Sequence, residues 1–310
     1  MLKHHALLFD SASTFLATAV PFVTEGLDRG DTVIAVTSAR NAELLRERID
    51  GAADRVTFLP PAGWFDSPGR TLNSHHRHID ALPGDTGILR VLGEPVWDAR
   101  VLQDPLEASE WGRYESAMNV ALANARAWVM CVYDSRSLPA EIVDDARRTH
   151  QRLAVGTASE ASATYADPAF YYAERNGPLP PPPAHGVKWL PILGDMALVR
   201  QFVTDHAARM GVPAERLDDF ILAVNEVATN AVRHGAGHGV LRLWATDRRV
   251  VCEITDPGAA TDNFLGFLRA DPHAEQGHGL WIARQTCDLL EMRTGASGTT
   301  VRLHIRRADR

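Results

Sequence analysis

The sequence is poor in cysteine, with three residues, Cys131, Cys252 and Cys287, among 310. They stand far apart, and none forms the short Cys-x-x-Cys spacing that metal and redox sites use. A disulfide framework is therefore excluded as the basis of the fold. The three thiols are expected to be buried in a reducing environment.

Long hydrophobic runs and an excess of positive charge are also missing. No stretch approaches the ~18 consecutive apolar residues of a membrane span. The first ten residues, MLKHHALLFD, lack the basic segment, apolar run and cleavage site of a signal peptide. With 32 basic against 39 acidic residues, the net charge is −7, which does not favour nucleic acid or an anionic membrane. We expect a cytoplasmic protein that contacts neither of them directly.

What is present is the composition of a globular protein. Apolar residues make up 45% and charged residues 23% of the chain, which excludes a disordered or filamentous protein. At ~100–200 residues per domain, this length predicts two domains. The chain has no P-loop motif, so any nucleotide is expected to bind at another kind of phosphate site.

Residues 1–165 alternate short apolar runs with amphipathic segments. The runs are rich in β-branched residues and predict buried strands at His5–Asp10, Thr32–Thr37, Val56–Leu59, Gly87–Leu92 and Ala127–Tyr133. Helices are predicted between and after them, at Ser13–Arg29, Ala39–Ile49, Thr71–Ala81, Pro105–Asn124 and Pro139–Leu153. This alternation predicts an α/β domain with a mostly parallel sheet and helices on both faces.

A proline-rich stretch, Asn176–Gly186, follows and contains a run of four prolines. Such a run favours stiff, extended polyproline geometry. We interpret residues 166–188 as a linker between two domains, with a surface loop inside one domain as the alternative.

Residues 189–310 combine helices with neighbouring strands. Helices are predicted at Asp195–Met210, at Pro213–His234 and from Leu280. Strands are predicted at Gly239–Ala245, Val250–Asp256 and Thr299–Ile305. This order is typical of an α+β two-layer sandwich.

Polar residues in this second part follow a pattern that suits a ligand. Three of them recur every four residues and share one stripe of a predicted helix: Glu226, Asn230 and His234. Asp256-Pro257-Gly258 ends a strand with a carboxylate and with a glycine that admits close approach to the backbone. Gly277-His278-Gly279 precedes a helix, whose free N–H groups suit a phosphate. Each motif alone is more often a solvated face, a turn or a loop.

Taken in this order, the motifs resemble the N box, G1 box and G2 box of the GHKL ATPase family, over roughly Leu193–Arg306. The resemblance implies the GHKL (Bergerat) two-layer fold, with ATP and Mg²⁺ as cofactors. It implies that Asn230 ligates Mg²⁺, that Glu226 is the catalytic base, and that Ala259–Gln276 forms a lid over the nucleotide. The other implied nucleotide contacts are Asp256 and Thr300 at the adenine, Gly258 beside the base, and Gly277 and Gly279 at the phosphates.

Within that family, the segments NEVATNAVRHG, GHGLWIARQTCDLLEM and GTTVRLHI are similar to the anti-sigma factor serine kinases. This similarity implies a kinase that sequesters a sigma factor and phosphorylates a serine or threonine of an anti-anti-sigma (STAS-type) partner. Such kinases are often dimers, so a homodimer is also considered. Two alternatives stay open: a non-catalytic module in which ATP or another ligand sets sigma-factor binding, and a histidine kinase. The lack of a recognisable phospho-acceptor histidine segment counts against the latter.

The first 165 residues resemble the MEDS sensory domain, which precedes this ATPase domain in regulatory proteins of the RsbA type. The resemblance is carried by HHALLF at 4–9, GEPVW at 93–97, RYESAMN at 113–119, CVYD at 131–134 and DARRTH at 145–150. It implies a sensor that binds a small-molecule signal and gates the second domain.

A signal pocket is predicted at the C-terminal ends of the parallel strands, where ligands bind in open α/β sheets. The candidate residues are His4, Glu94, Trp97, Tyr133, Asp134 and His150. The alternative is that these groups only connect the ends of the sheet by hydrogen bonds. The SHHRHID segment at 74–80 is interpreted as solvated surface, because its histidines do not share one helical face well.

Overall fold

The structure, a computed structural model, describes residues 1–84, 87–259, 264–269, 277–295 and 298–308, without the side chains of residues 99 and 100. The chain divides into two compact units. The first comprises Met1–Asp66 and Thr71–Tyr172, and the second comprises Ser67–Arg70 and Ala173–Arg310. In the part of the chain that is described, no helix combines the length and the apolar character that crossing a bilayer requires.

The first 174 residues alternate strands and helices, as the sequence predicts. The strands are β1 (Lys3–Phe9), β2 (Thr32–Val36), β3 (Thr57–Leu59), β4 (Leu89–Gly93), β5 (Ala127–Asp134), β6 (Arg152–Val155) and β7 (Ala158–Ala161). The helices are α1 (Ala12–Asp28), α2 (Ala39–Ile49), α3 (Pro61–Trp64), α4 (Pro68–Asp80), α5 (Ala99–Leu102), α6 (Pro105–Ala121), α7 (Ala140–Thr149) and α8 (Pro168–Glu174). A 3-10 turn, Asp50–Arg55, connects α2 to β3.

These strands form one sheet in the order β3-β2-β4-β5-β1-β6-β7. Neighbouring strands are parallel except for the β6–β7 hairpin. One face packs on α1 and α2, whose Phe15, Val23 and Leu45 share one apolar core with side chains of β1, β2, β4 and β5. On the other face, α6 reaches the sheet through Glu115, which hydrogen-bonds β5. The predicted α/β class with helices on both faces is confirmed.

Two local predictions in this unit differ from the structure. The helix predicted at Pro139–Leu153 ends at Thr149, because His150 adopts an extended backbone (φ −111°, ψ 126°) that leads into β6. The segment 74–80, expected to be solvated, is part of α4, and His75 is 1% exposed. Its ring packs edge-on against Trp64.

The second unit contains a five-stranded antiparallel sheet covered by helices. Its elements are β8 (Lys188–Ile192), α9 (Met196–Met210), a 3-10 turn (Ala214–Arg216), α10 (Leu217–His234), β9 (Gly239–Ala245), β10 (Arg249–Asp256), α11 (Gly279–Thr286), β11 (Leu289–Gly295) and β12 (Gly298–Arg306). The sheet order is β11-β12-β10-β9-β8. The core includes Val203 of α9, Phe220 of α10 and Ala283 of α11, packed on Leu243 and Leu303. The predicted α+β sandwich is confirmed.

The proline-rich stretch is attached to this sheet by its backbone carbonyl groups. Arg293 Nε donates a hydrogen bond to the Gly177 carbonyl over 2.8 Å. Arg302 Nη2 donates to the Pro180 carbonyl, and the same guanidinium pairs with Glu253 on β10 at 2.7 Å. Side chains at alternate positions of a strand share a face, so Arg302 is opposite to the core residue Leu303. The stretch is therefore held on the face of the sheet opposite to its helical core.

Candidate functional site

The second unit contains a cavity of about 350 Å³ between α10, the end of β10, the start of α11 and β12. Its polar and glycine lining consists of Asn230, His234, Asp256, Gly258, Gly266, Gly277, Gly279 and Thr299. Apolar side chains complete the wall, among them Val227, Leu265, Leu280, Met292 and Val301. This volume and this mixture of apolar wall with a few polar groups are typical of small-molecule sites.

One end of the cavity is formed where α10 meets the start of α11. Asn230 lines the cavity, and Glu226, one turn earlier on the same face of α10, lies beside it. A Cβ atom at Gly279 would be 2.9 Å from Glu226 Oε2 and 3.1 Å from Asn230 Nδ2. A side chain at position 279 would therefore displace both polar groups, and the glycine allows α11 to begin next to them.

The Asp256 end of the cavity depends on a second glycine. Asp256 Oδ1 accepts a hydrogen bond from the Gly258 N–H at 2.8 Å. A Cβ atom at Gly258 would be 2.3 Å from the His234 carbonyl oxygen, so a larger residue cannot fit without moving α10. Burial raises the pKa of Asp256, while the Gly258 N–H and the nearby His234 and His238 oppose this rise. Asp256 lines the cavity, where its carboxylate can accept a hydrogen bond from a ligand.

The threonine at the cavity is Thr299 and not Thr300. Thr299 lines the cavity, and its hydroxyl donates to the Gly258 carbonyl at 2.7 Å. Side chains alternate along a strand, so Thr299 and Val301 point to the core face of β12 and Thr300 points to the opposite face. In the structure, Thr299 therefore lies at the cavity, where the family resemblance had placed Thr300.

The predicted lid, Ala259–Gln276, is described in part. Ala259, Leu265 and Gly266 line the cavity. Residues 260–263 and 270–276 lie outside the described residues. Leu265 and Gly266 belong to the predicted lid segment, but neither was singled out as a contact, because they carry no charge or motif of their own.

The residues of this cavity suit an adenine nucleotide with a magnesium ion. Asp256 supplies a carboxylate acceptor at one end, where an exocyclic amine can donate. Asn230 supplies an amide oxygen at the other end, and Mg²⁺ is usually bound by few protein oxygens together with phosphate oxygens. Gly277 and Gly279 bring the exposed N–H groups of the first turn of α11 to the same end.

In the first unit, three of the six predicted pocket residues come together. The His4 and His150 ring centroids are 4.0 Å apart, and the Tyr133 ring is 5.9 Å from that of His150. Two residues that were not predicted join them: Glu115 of α6 and Cys131 of β5. Both occur in the motifs of this part of the sequence, but a glutamate and a thiol more than a dozen residues apart show no local spacing that would connect them.

The charge states of this cluster follow from its burial. Burial lowers the pKa of His150 well below its usual value, so the ring is neutral. Burial, with Glu115 beside it, raises the pKa of the Cys131 thiol well above its usual value. The Tyr133 hydroxyl donates to Glu115 Oε1 at 3.2 Å. The cluster is a set of buried, directed polar groups under α6, away from the strand ends where it was expected.

The other three predicted residues lie elsewhere or only at its margin. Glu94 Oε2 accepts hydrogen bonds from Thr37, Ser38 and Asn41 at the start of α2. It therefore does not meet His4 and His150 as expected, because the α2 terminus supplies its donors. Asp134 pairs with Arg136 at 2.6 Å at the end of β5.

The aromatic ring of Trp97 lies beside the cluster. Its centroid is 6.4 Å from that of Tyr133. The indole Nε1 is buried and has no hydrogen-bond partner among the described residues. Trp97 thus packs against the edge of the cluster without donating to it.

Comparison with known proteins identifies both units. Residues 3–151 match the MEDS family, the methanogen/methylotroph, DcmR sensory domain. Residues 192–305 match the histidine kinase-like ATPase domain. The chain therefore carries a MEDS domain in its N-terminal half and a histidine kinase-like ATPase domain in its C-terminal part, as the sequence resemblance implied.

Two individual proteins are similar to part of this chain. The serine-protein kinase RsbW of Bacillus pumilus (strain SAFR-032) is 27% identical over 122 residues, covering 34% of this chain and 75% of that protein. The crystal structure of the RsbU and RsbW domains of Rv1364c from Mycobacterium tuberculosis is 22% identical, with a TM-score of 0.30. That match covers 40% of this chain, which spans about a third (33%) of the solved chain.

Proposed function

We propose that this protein is an ATP-dependent protein serine/threonine kinase of the anti-sigma type. In this proposal it sequesters a sigma factor and phosphorylates an anti-anti-sigma partner with a STAS-type fold. The MEDS domain senses a signal and gates these activities. The similarity to a serine-protein kinase, RsbW, supports the choice of a serine kinase.

The observation that carries the proposal is the meeting of separate motifs at one cavity. Asn230, Asp256, Gly258 and the Gly277–Gly279 turn come from segments up to about fifty residues apart, and all of them line the same 350 Å³ space. Glu226 lies beside the Asn230 end, where its carboxylate is 2.9 Å from the Cβ position of Gly279. A helix face that served only as solvated surface would not contact the start of another helix in this way.

In this proposal each residue of the cavity has a task. Asp256 accepts from the amine of adenine, and Gly258 keeps the adjacent backbone close to the base. Asn230 holds Mg²⁺, which supplies charge neutralisation at the phosphates when bound. The N–H groups at the start of α11 bind phosphate oxygens. Glu226 accepts the proton of the substrate hydroxyl, whose oxygen attacks the terminal phosphorus while ADP leaves.

Calorimetric titration of the full-length protein with MgATP tests nucleotide binding. We expect wild type to bind one nucleotide per chain. Asn230→Ala is expected to weaken binding at least tenfold, or about 1.4 kcal/mol, because the magnesium ligand is lost. Absence of binding to wild type would contradict both the kinase and any ATP-responsive function.

Phosphate transfer is then measured with labelled ATP and a STAS-domain protein of the same organism. Glu226→Gln provides the matched control, because it keeps the shape of the side chain and removes the base. We expect wild type to label the partner on serine or threonine and Glu226→Gln to bind MgATP without labelling it. Binding without transfer by wild type would favour the non-catalytic module, and acid-labile label on the protein itself would indicate a histidine kinase.

A further inference from the structure

A cluster of four potential metal ligands lies inside the MEDS domain, apart from the nucleotide cavity. His4 comes from β1, Cys131 from β5, Glu115 from α6, and His150 from the residue that follows α7. All four are at least 96% buried. Their ligand atoms, two imidazole nitrogens, one carboxylate oxygen and one sulfur, all lie within 4.8 Å of one another.

The spacing of these atoms matches a tetrahedral metal site. Bonds of about 2.0–2.3 Å to nitrogen, oxygen and sulfur place the ligands of a tetrahedral ion about 3.3–3.8 Å from each other. His4 Nε2 is 3.2 Å from Glu115 Oε2 and 3.4 Å from Cys131 Sγ. Glu115 Oε2 is 3.6 Å from Cys131 Sγ and 3.7 Å from His150 Nε2. One ion therefore fits between them with little movement.

Hydrogen bonds behind the cluster determine which nitrogen of His4 is free. The Asn119 amide group donates to the carbonyls of Thr149, Ser116 and Glu115, at 2.8, 3.3 and 3.2 Å. Its Oδ1 is therefore the atom that faces His4 Nδ1, at 3.1 Å, and it accepts the proton of that nitrogen. His4 Nε2 is then the ring nitrogen that faces the other three ligands.

The remaining groups are oriented in the same way. His150 Nδ1 donates to the Ala146 carbonyl at 2.8 Å, which leaves Nε2 unprotonated. Tyr133 donates to Glu115 Oε1 and leaves Oε2 for the cluster. Metal-binding histidines in proteins typically have such a carbonyl or amide acceptor behind the second ring nitrogen. Residues that served only to connect the sheet would not need four ligand atoms directed at one point.

One buried acceptor of the cluster has no donor. His150 Nε2 is buried and has no hydrogen-bond partner among the described residues. A buried acceptor without a donor destabilises the folded domain, so the arrangement favours a cation at its centre.

We propose that His4, Glu115, Cys131 and His150 bind one divalent transition-metal ion, with Zn²⁺ as the best match to this mixture of imidazole, carboxylate and thiolate ligands. As the Cys131 sulfur binds the ion, its proton is released to solvent and no electron is transferred. The thiolate and the Glu115 carboxylate then neutralise the two positive charges of the ion, as burial requires. With four protein ligands the site is closed, and the ion connects β1, β5, α6 and the end of α7. The MEDS domain is then stabilised by metal.

Cobalt titration of the metal-free, full-length protein tests the site. Co²⁺ replaces Zn²⁺ in tetrahedral sites and gives a thiolate-to-cobalt charge-transfer band when sulfur is a ligand. We expect one Co²⁺ per chain with that band, displacement of the band by one equivalent of Zn²⁺, and release of one proton for each Zn²⁺ bound in weakly buffered solution. Zn²⁺ is also expected to raise the unfolding temperature of the wild-type protein.

Cysteine variants supply a matched control. Cys131→Ser is expected to abolish the charge-transfer band. Cys252→Ser and Cys287→Ser, which change buried thiols of the other unit, are expected to retain it. Asn119→Ala, which removes the acceptor behind His4, is expected to weaken Co²⁺ binding about 10–100-fold and to keep the band at saturation.

Several results would overturn the metal site. They are a folded wild-type protein that binds neither ion at equimolar concentration, a band that persists in Cys131→Ser, or a band lost in Cys287→Ser. Circular dichroism of each variant shows whether it is folded. If Cys131→Ser does not fold, stoichiometry and proton release in wild type still decide the question. Nucleotide binding by the other unit is measured separately, so failure of one proposal does not affect the other.

Discussion

At the residue scale, the cavity that we propose to bind nucleotide depends on glycines that lie very close to neighbouring groups. A side-chain hydrogen bond also connects its segments. Gly258 lies against the His234 carbonyl, and Gly279 lies against Glu226 and Asn230. Thr299 connects β12 to this region, because its hydroxyl donates to the Gly258 carbonyl. The position of the Asp256 end therefore depends on one hydroxyl group from a neighbouring strand.

Replacing Thr299 by valine removes this hydrogen bond and keeps a β-branched side chain that suits a strand. The Gly258 carbonyl then loses its donor, which costs about 1 kcal/mol, and MgATP binding is expected to weaken about fivefold. Calorimetric titration measures this loss. Thr300→Val is the matched control, since that side chain is on the other face of β12, and its affinity is expected to equal that of wild type. A larger effect at Thr300 than at Thr299 would contradict the reassignment.

At the scale of secondary-structure elements, α6 is the helix on which the buried cluster depends. Its residues from Glu110 to Met118 are buried, and they include charged side chains such as Arg113 and Glu115. Arg113 pairs with Glu110 at 3.0 Å inside the domain. Asp104 is the N-cap residue that precedes the helix, and its carboxylate accepts hydrogen bonds from the N–H groups of Leu106 and Glu107. This cap sets the start of the helix that carries Glu115 and Asn119.

Asp104→Ala is expected to lower the free energy of unfolding of the protein by about 1 kcal/mol, because two N–H groups of the first turn lose their acceptor. Urea-induced unfolding measures the change. Asp104→Asn keeps an acceptor oxygen at the same place and is expected to retain most of the stability. If the two variants lost the same amount, the charge of Asp104 and not its cap hydrogen bonds would be responsible.

At the scale of the whole molecule, the two units contain different chemistry. The C-terminal unit holds the cavity that we propose to bind nucleotide, and the N-terminal unit holds buried histidines whose charge depends on folding. Burial lowers the pKa of His75 from 6.5 to about 4, and the neighbouring His4, His76 and His78 add to the effect. The hydrogen bond with the Thr71 carbonyl opposes it. The pKa of His5 is also lowered to about 4, mainly by burial.

The lowered pKa values of these histidines predict that acid destabilises the folded protein. Between pH 6.5 and about 4 the unfolded chain binds a proton at His75 that the folded chain does not bind. The free energy of unfolding therefore falls as the pH falls through this window, by about 3 kcal/mol for His75 alone. His75→Gln cannot take up the charge and is expected to flatten this part of the profile, measured by urea unfolding at several pH values. His185→Gln, in an exposed loop, is the control, and a wild-type profile for His75→Gln would contradict the prediction.

Much of the fold could be read from the order of residues along the chain. The helix over Ala39–Ile49 and the strand over Gly239–Ala245 have the predicted ends, because apolar periodicity and capping residues act within a few positions. The hairpin of β6 and β7 was missed, since its short strands are mostly exposed and carry little apolar pattern. β11 was also missed, for a different reason: its strand is mostly buried, but it follows α11 after a two-residue connection with no glycine or proline to mark the boundary.

The sequence by itself determined the two domain types and the order of the motifs. Amphipathic helices, turn glycines and buried strands each depend on residues only a few positions apart, so they can be recognised along the chain. Tertiary structure alone decided which groups meet. Strand pairing sets which threonine of β12 faces the cavity. Hydrogen bonds from the start of α2 hold Glu94 apart from His4 and His150. Packing of α6 on β1 and β5 places Glu115 and Cys131 between those histidines. These contacts join residues up to 127 positions apart, and such distances leave no local pattern in the chain.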